Sequence, residues 1–133
     1  MHPFRAAVEA RDPDAMTALL SEDVVFTSPV VFRPYPGKAI TAAILRGVLC
    51  VFEDFRYERE IADPGGRDHA LVFRARVGDR EIQGCDFLHT DEDGLIDEFT
   101  VMVRPLSAAT ALAEAMGAQF DHITREAAEG TRD

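Results

Sequence analysis

The fold is decided by one stretch, His69-Ala70-Leu71-Val72-Phe73-Arg74-Ala75-Arg76-Val77-Gly78-Asp79-Arg80-Glu81-Ile82-Gln83-Gly84-Cys85-Asp86-Phe87-Leu88-His89-Thr90. Its first part alternates. His69, Leu71, Phe73, Ala75 and Val77 share one side, and Arg74 and Arg76 lie on the other. A period of two marks a strand with one covered face. Gly78-Asp79 reads as a two-residue hairpin turn, from which the strand Arg80 to Thr90 returns. Asp91-Glu92-Asp93-Gly94 turns the chain again into a last strand, Leu95 to Arg104, which Pro105 stops. On the near side, Phe55 to Ile61 is a strand joined to His69 through the turn cluster Asp63-Pro64-Gly65-Gly66. The second half of the chain is therefore an antiparallel meander of about four strands.

Before the meander the spacing is helical. Phe4, Ala7, Val8 and Arg11 share one side of a helix over Phe4 to Arg11. Asp12 is a good N-cap and Pro13 a good first residue for a second short helix, striped by Ala15, Met16, Leu19 and Leu20 and ended by Ser21-Glu22-Asp23. Val24 to Ser28 is β-branched and aromatic, a strand that Pro29 stops. Val30 to Pro36 reads as a loop. A third helix runs from Lys38 to about Phe52, with the stripe Ile40, Ile44, Leu45, Val48, Leu49 and Phe52. Ser107 caps a final helix through about Met116. Residues 1–125 form one domain, and 126–133 a polar tail expected to fray. Helices packed on one face of an antiparallel sheet define the α+β class.

Composition narrows the function classes. With 47% hydrophobic and 29% charged residues over 133 positions, the chain is an ordinary globular domain with room for a core. A formal net charge of −10 argues against nucleic acid, whose phosphates are bound by clustered Lys and Arg, and against anionic membranes. The two cysteines, Cys50 and Cys85, are far apart, lie in apolar runs and form no CxxC pair, so they read as reduced core thiols. There is no basic stretch followed by an apolar one at the N-terminus, and no apolar run nears the ~20 residues of a membrane span. A cytoplasmic location is the simplest expectation.

One residue stands out chemically. Ile82, Gly84, Asp86 and Leu88 share a face of their strand, and Glu81, Gln83, Cys85, Phe87 and His89 the other. Both sets are mixed, so parity alone leaves the inward set open. If Asp86 faces inward, its carboxyl either finds hydrogen bonds or stays protonated, and such a group is a candidate acid, base or donor. The competing reading is an Asp that caps a backbone group or reaches water. Asp91-Glu92-Asp93-Gly94 lacks the earlier alternate ligands of a calcium loop and reads as a turn. His69, Asp86 and His89 do not make a metal site, because His89 is on the opposite pleat from Asp86 and no HxxxH or HxxE spacing exists. No metal and no cofactor is expected.

The order helix, helix, strand, helix, meander resembles the nuclear transport factor 2-like superfamily, which includes SnoaL-like polyketide cyclases and ketosteroid isomerases. The resemblance rests on Phe4 to Ala15, on Ser21-Glu22-Asp23-Val24-Val25-Phe26-Thr27-Ser28-Pro29-Val30, on Pro36-Gly37-Lys38-Ala39-Ile40, and on Gly84-Cys85-Asp86-Phe87-Leu88 with Gly94-Leu95-Ile96. It implies a cystatin-like cone: a curled sheet packed on three N-terminal helices, with a C-terminal helix and a pocket at the wide end. In ketosteroid isomerases the base is an aspartate, and a tyrosine and a protonated aspartate bind the oxyanion. By that resemblance the donor aspartate falls on Asp86, the base on Ser28 and the tyrosine on Phe4. Only the first role is kept, which argues against steroid isomerase chemistry, since losing a general base removes about 10²–10⁴ in rate.

The same resemblance puts His69, Leu71, Phe73, Asp86, Leu88, Phe99, Val101 and Val103 on the concave face. Across such a pocket Asp86 and His69 would make an acid–base pair, the alternative being that His69, at the start of its strand, reaches water. The pocket is expected to be lined by Phe4, Ser28, Tyr35, Tyr57 and the concave residues, with Tyr35 at its rim and the directions of both tyrosines left open, since each either offers its phenol or simply packs. The implied function is binding of a small, mostly apolar, polyketide- or steroid-like molecule, with cofactor-free acid–base chemistry of isomerase, cyclase, dehydratase or hydrolase type. The alternative is a non-catalytic ligand-binding or dimerisation module of the same fold. The convex face, with Glu81, Gln83, Cys85, Phe87, Glu98, Thr100 and Met102, is left without a helix and is expected to pair two copies in a homodimer.

Overall fold

In a computed structural model, which describes residues 1–131 and side chains through 129, the meander forms as β3 (Glu53–Ala62), β4 (Asp68–Val77), β5 (Arg80–Thr90) and β6 (Ile96–Arg104). Gly78, at φ 62°, takes the left-handed first position of the β4–β5 turn, where any side chain would be strained. Val77 then pairs with Arg80, and the register runs without a slip back to Asp68 opposite His89.

The helices precede and follow this sheet. α1 (Pro3–Glu9) starts on a proline, and the His2 ring nitrogen Nδ1 accepts from the Phe4 N–H at 3.0 Å. α2 (Pro13–Ala18) is capped by Asp12, whose carboxylate accepts from the Ala15 N–H at 3.1 Å. α3 (Lys38–Val51) has Gly37 at its cap with φ 108°, a backbone shape that favours glycine. Phe4, Ala7 and Val8 from α1, Met16 from α2, and Ala42 to Leu45 from α3 are all buried against the sheet.

β1 (Leu20–Thr27) and the two-residue β2 (Tyr35–Pro36) complete a six-stranded sheet in the order β2-β1-β6-β5-β4-β3. β1 lies parallel to β6, so the sheet is mixed at this edge, with α3 and the meander forming the long connection that a parallel pair requires. β1 also starts earlier than its sequence suggests. Ser21-Glu22-Asp23 belongs to the strand rather than to the end of α2, because Leu20 and Val24 are fully buried on either side of it.

α4 (Leu106–Thr131) is the largest departure. It does not end near Met116 but runs to Thr131, so the expected polar tail is helical as far as it is described, and Arg132 and Asp133 lie outside the described residues. Its second half docks on α3. Ile123 is buried, and a Cβ added at Gly47 would stand 3.0 Å from its Cδ1, so the missing side chain allows the close crossing. No helix among the described residues is long and apolar enough to cross a membrane.

Candidate functional site

The pleat sends Ile82, Gly84, Asp86 and Leu88 of β5 inward, and all are buried. Asp86 sits between Leu71 of β4 and Val101 of β6 on the face that meets the helices. Across β4, on the same face, Tyr57 of β3 donates its hydroxyl hydrogen to Asp86 Oδ2 at 3.0 Å. The two residues are 29 positions apart, and the curl of the sheet brings them together.

Burial sets their chemistry. It pushes the Asp86 carboxyl from 3.8 up to about 7, and the Tyr57 hydrogen bond pulls the other way. Tyr57 is raised far above its ordinary value, first by burial and then by the Asp86 charge and the bond it donates. Tyr57 is therefore a permanent donor, while Asp86 exchanges its proton near neutral pH. The Arg5 guanidinium lies over the Tyr57 ring, 5.7 Å from its centroid. Removing the phenol in Tyr57→Phe should lift the Asp86 pKa above about 7, which carboxyl NMR titration would read. An unchanged value would mean that the hydrogen bond does not reach the carboxylate.

Both groups open onto a cavity of about 80 Å³. The sheet supplies Phe26, Tyr57, Phe73, Asp86, Phe99 and Val101 to its wall. The helices supply Phe4, Val8, Met16, Ile44, Leu45, Val48, Leu49, Leu112 and Met116, and Phe52 follows the end of α3. Ser28-Pro29-Val30 and the exposed Arg11 complete it, with Phe55 beside Tyr57. Asp86 is the only carboxyl in this wall among the described residues. The Ser28 hydroxyl oxygen accepts from the Val30 N–H at 3.1 Å, so it is engaged by its own turn. A second chamber of about 200 Å³ lies under α4, and Tyr35 lines it rather than the first.

Seven expected residues thus share the inner cavity: Phe4, Ser28, Tyr57, Phe73, Asp86, Phe99 and Val101. Leu71, Leu88 and Val103 are on the concave face but outside the cavity wall, with Leu71 and Leu88 packed in the solid core. His69 does not pair with Asp86. It faces Leu88, beside the β3–β4 turn, where its Nε2–H donates to the Gly66 carbonyl at 2.9 Å. Its ring packs edge-on against His2, with centroids 4.4 Å apart. The turn carbonyl and the N-terminus take the histidine that the pattern offered to Asp86. The helical wall residues were visible in the sequence only as apolar stripes, which carry no sign that they line a gap rather than fill one.

The convex face holds a separate polar group. His89 Nδ1 lies 2.6 Å from Asp97 Oδ1, with Glu98 Oε2 at 3.8 Å, and the Asp97 bond holds the imidazole above its ordinary pKa. These three could approach one metal ion, but they are not the His69, Asp86 and His89 trio weighed from the sequence.

The family model for the SnoaL-like domain matches residues 2–99. No curated protein matches the chain. Among solved structures, a steroid delta-isomerase from Pseudomonas aeruginosa is 43% identical with a TM-score of 0.86, over 92% of this chain and 89% of that one. An uncharacterised protein with a cystatin-like fold from Silicibacter pomeroyi is 37% identical with a TM-score of 0.83, over 90% of this chain and 86% of that one. A nuclear transport factor 2-like protein of unknown function from Cytophaga hutchinsonii shares the fold at 18% identity and a TM-score of 0.59, over 77% of this chain and 85% of that one. With the family model spanning most of its length and two such neighbours above 30% identity, the chain belongs to the SnoaL-like domain family.

Proposed function

We propose that the domain binds a small apolar molecule by a carbonyl or hydroxyl group and can move a proton at that oxygen without a cofactor. The observation that carries this reading is the Tyr57–Asp86 pair in the wall of an otherwise apolar cavity. Protonated Asp86 donates to a carbonyl oxygen, and the Tyr57 hydroxyl steadies the carboxylate left behind. Ionised Asp86 accepts from a ligand hydroxyl. The 43% identity to a protein described as a steroid delta-isomerase favours a ketone as the ligand class. The wall has Ser28 where that chemistry would want a second carboxylate, so a single proton donor and acceptor does the work.

Two probes test this. 2-Naphthol, a hydroxyl on a flat apolar body, should bind with a fluorescence change, and Asp86→Ala should weaken it at least tenfold. Cyclohex-3-en-1-one should isomerise to its conjugated enone, with ionised Asp86 taking the proton from C2 and returning it to C4 as the double bond shifts, at a rate that rises through about pH 7 and falls by about 10²–10⁴ in Asp86→Asn. Binding without turnover would leave a ligand-binding module of the same site. Equal naphthol binding by parent and Asp86→Ala would overturn the reading.

We also propose that two copies pair through the convex sheet face. Phe87 and Met102 support this, standing 42% and 59% exposed on that face, an apolar pair that water would not favour. Sedimentation at micromolar concentration should give a dimer, and Phe87→Glu a monomer. A monomeric parent protein would refute it.

A further inference from the structure

We infer that the site takes an elongated ligand, with a carbonyl head at Asp86 and an apolar tail that runs outward into the chamber under α4. This rests on the reading of Asp86 above. The inner cavity is small, about 80 Å³, and holds the polar pair. The outer one is larger, about 200 Å³, and no charged side chain lines it among the described residues. In a chain that is 29% charged, such a lining is built for an apolar occupant.

The two chambers adjoin one another. Phe26, Ser28, Val30, Ile44 and Met116 line both, so a molecule seated on Asp86 has the outer chamber as its nearest apolar continuation. At the outer wall Val31 and Phe120 are 40% and 50% exposed, and a tail would cover them. The long α4 is what encloses this space. Ile123 anchors the helix on α3 and also lines the outer chamber. A helix ending at Met116 would remove Gly117, Phe120 and Ile123 from that wall.

The test uses methyl ketones from 2-butanone to 2-dodecanone, with affinity read by displacement of 2-naphthol. Affinity should rise about three- to fourfold per added methylene as the tail fills the outer chamber, and then level off. Gly117 is exposed and lines that chamber, and a Cβ there meets no atom within 4 Å, so a larger side chain at its mouth fits without displacing the helix. Gly117→Phe should lower the ratio of 2-decanone to 2-butanone affinity at least tenfold, and the smaller Gly117→Leu should lower it less. If the ratio is the same in Gly117→Phe as in the parent, the tail does not lie under α4 and the inference is wrong. If 2-butanone binds in an Asp86-dependent way but affinity does not rise with length, the elongated ligand is refuted and the Asp86 reading stands alone. If no ketone displaces 2-naphthol from the parent protein, the elongated ketone is refuted, and the Asp86 reading is decided by 2-naphthol binding to parent and Asp86→Ala.

Discussion

Asp86→Asn is expected to stabilise the protein at pH 8 by about 2–4 kcal/mol and to lose that advantage near pH 4. The folded carboxyl titrates at about 7 against an ordinary 3.8. Between those values the folded chain holds a proton that the unfolded chain gives up. Stability therefore falls as pH rises from about 4 to about 7, and stays low above it. Three pH units at roughly 1.4 kcal/mol each set a ceiling near 4 kcal/mol. Asparagine has the same shape, its carbonyl can still accept from Tyr57, and it never ionises. Urea denaturation of parent and variant at both pH values would decide. A variant less stable than the parent at both would mean that the ionised carboxylate is well satisfied where it sits.

That comparison must be differential, because His2 slopes the other way. Burial, and the neighbouring His69, lower the His2 pKa from 6.5. Its neutral form therefore favours the fold above that value, and the contribution fades as pH falls through it. The Asp86 term survives only in the difference between parent and variant. If it has the expected sign, the carboxyl weakens the fold at neutral pH where an amide would not. Such a group is explained by what it does to a ligand rather than by what it does for the core.

The parts of the fold legible in the sequence were the local ones. Alternation in β4 and the glycines at 78 and 94 gave the meander, and the α3 stripe gave its helix. β5 was ambiguous because two of its inward positions, Gly84 and Asp86, are not apolar, and local pattern breaks down where a site interrupts the core. The second half of α4 was hidden by Gly117 and the exposed Phe120, since its stability comes from Ile123 packing at Gly47, a contact between distant segments. The Tyr57–Asp86 bond is likewise long-range. Tyr57 was visible as a residue of uncertain direction, and only the curl of the sheet supplies its partner. His69 carried the opposite lesson. Its parity was right, but its position at the end of β4 exposed it to the Gly66 carbonyl before it could meet Asp86.

Gly84→Ala should destabilise the protein by about 1–3 kcal/mol although it adds only a methyl group. The added Cβ would stand 2.3 Å from Phe73 Cζ and 2.6 Å from Cε2, with the Met102 carbonyl oxygen at 3.0 Å. The ring has little room to yield. Phe73 is buried, its centroid 4.9 Å from Phe55 and 5.5 Å from Phe52, with Tyr57 edge-on at 6.5 Å. It also lines the inner cavity, so that side of the ring has space. The ring should therefore move into that cavity, so the same variant should weaken 2-naphthol. Phe73→Leu removes the ring tip and should relieve the clash. The double variant should then be less destabilised than the sum of the singles by about 0.5–3 kcal/mol. Strict additivity would mean that the ring does not lie over Gly84, and with it would go the view that a missing side chain in β5 shapes the space beside Asp86.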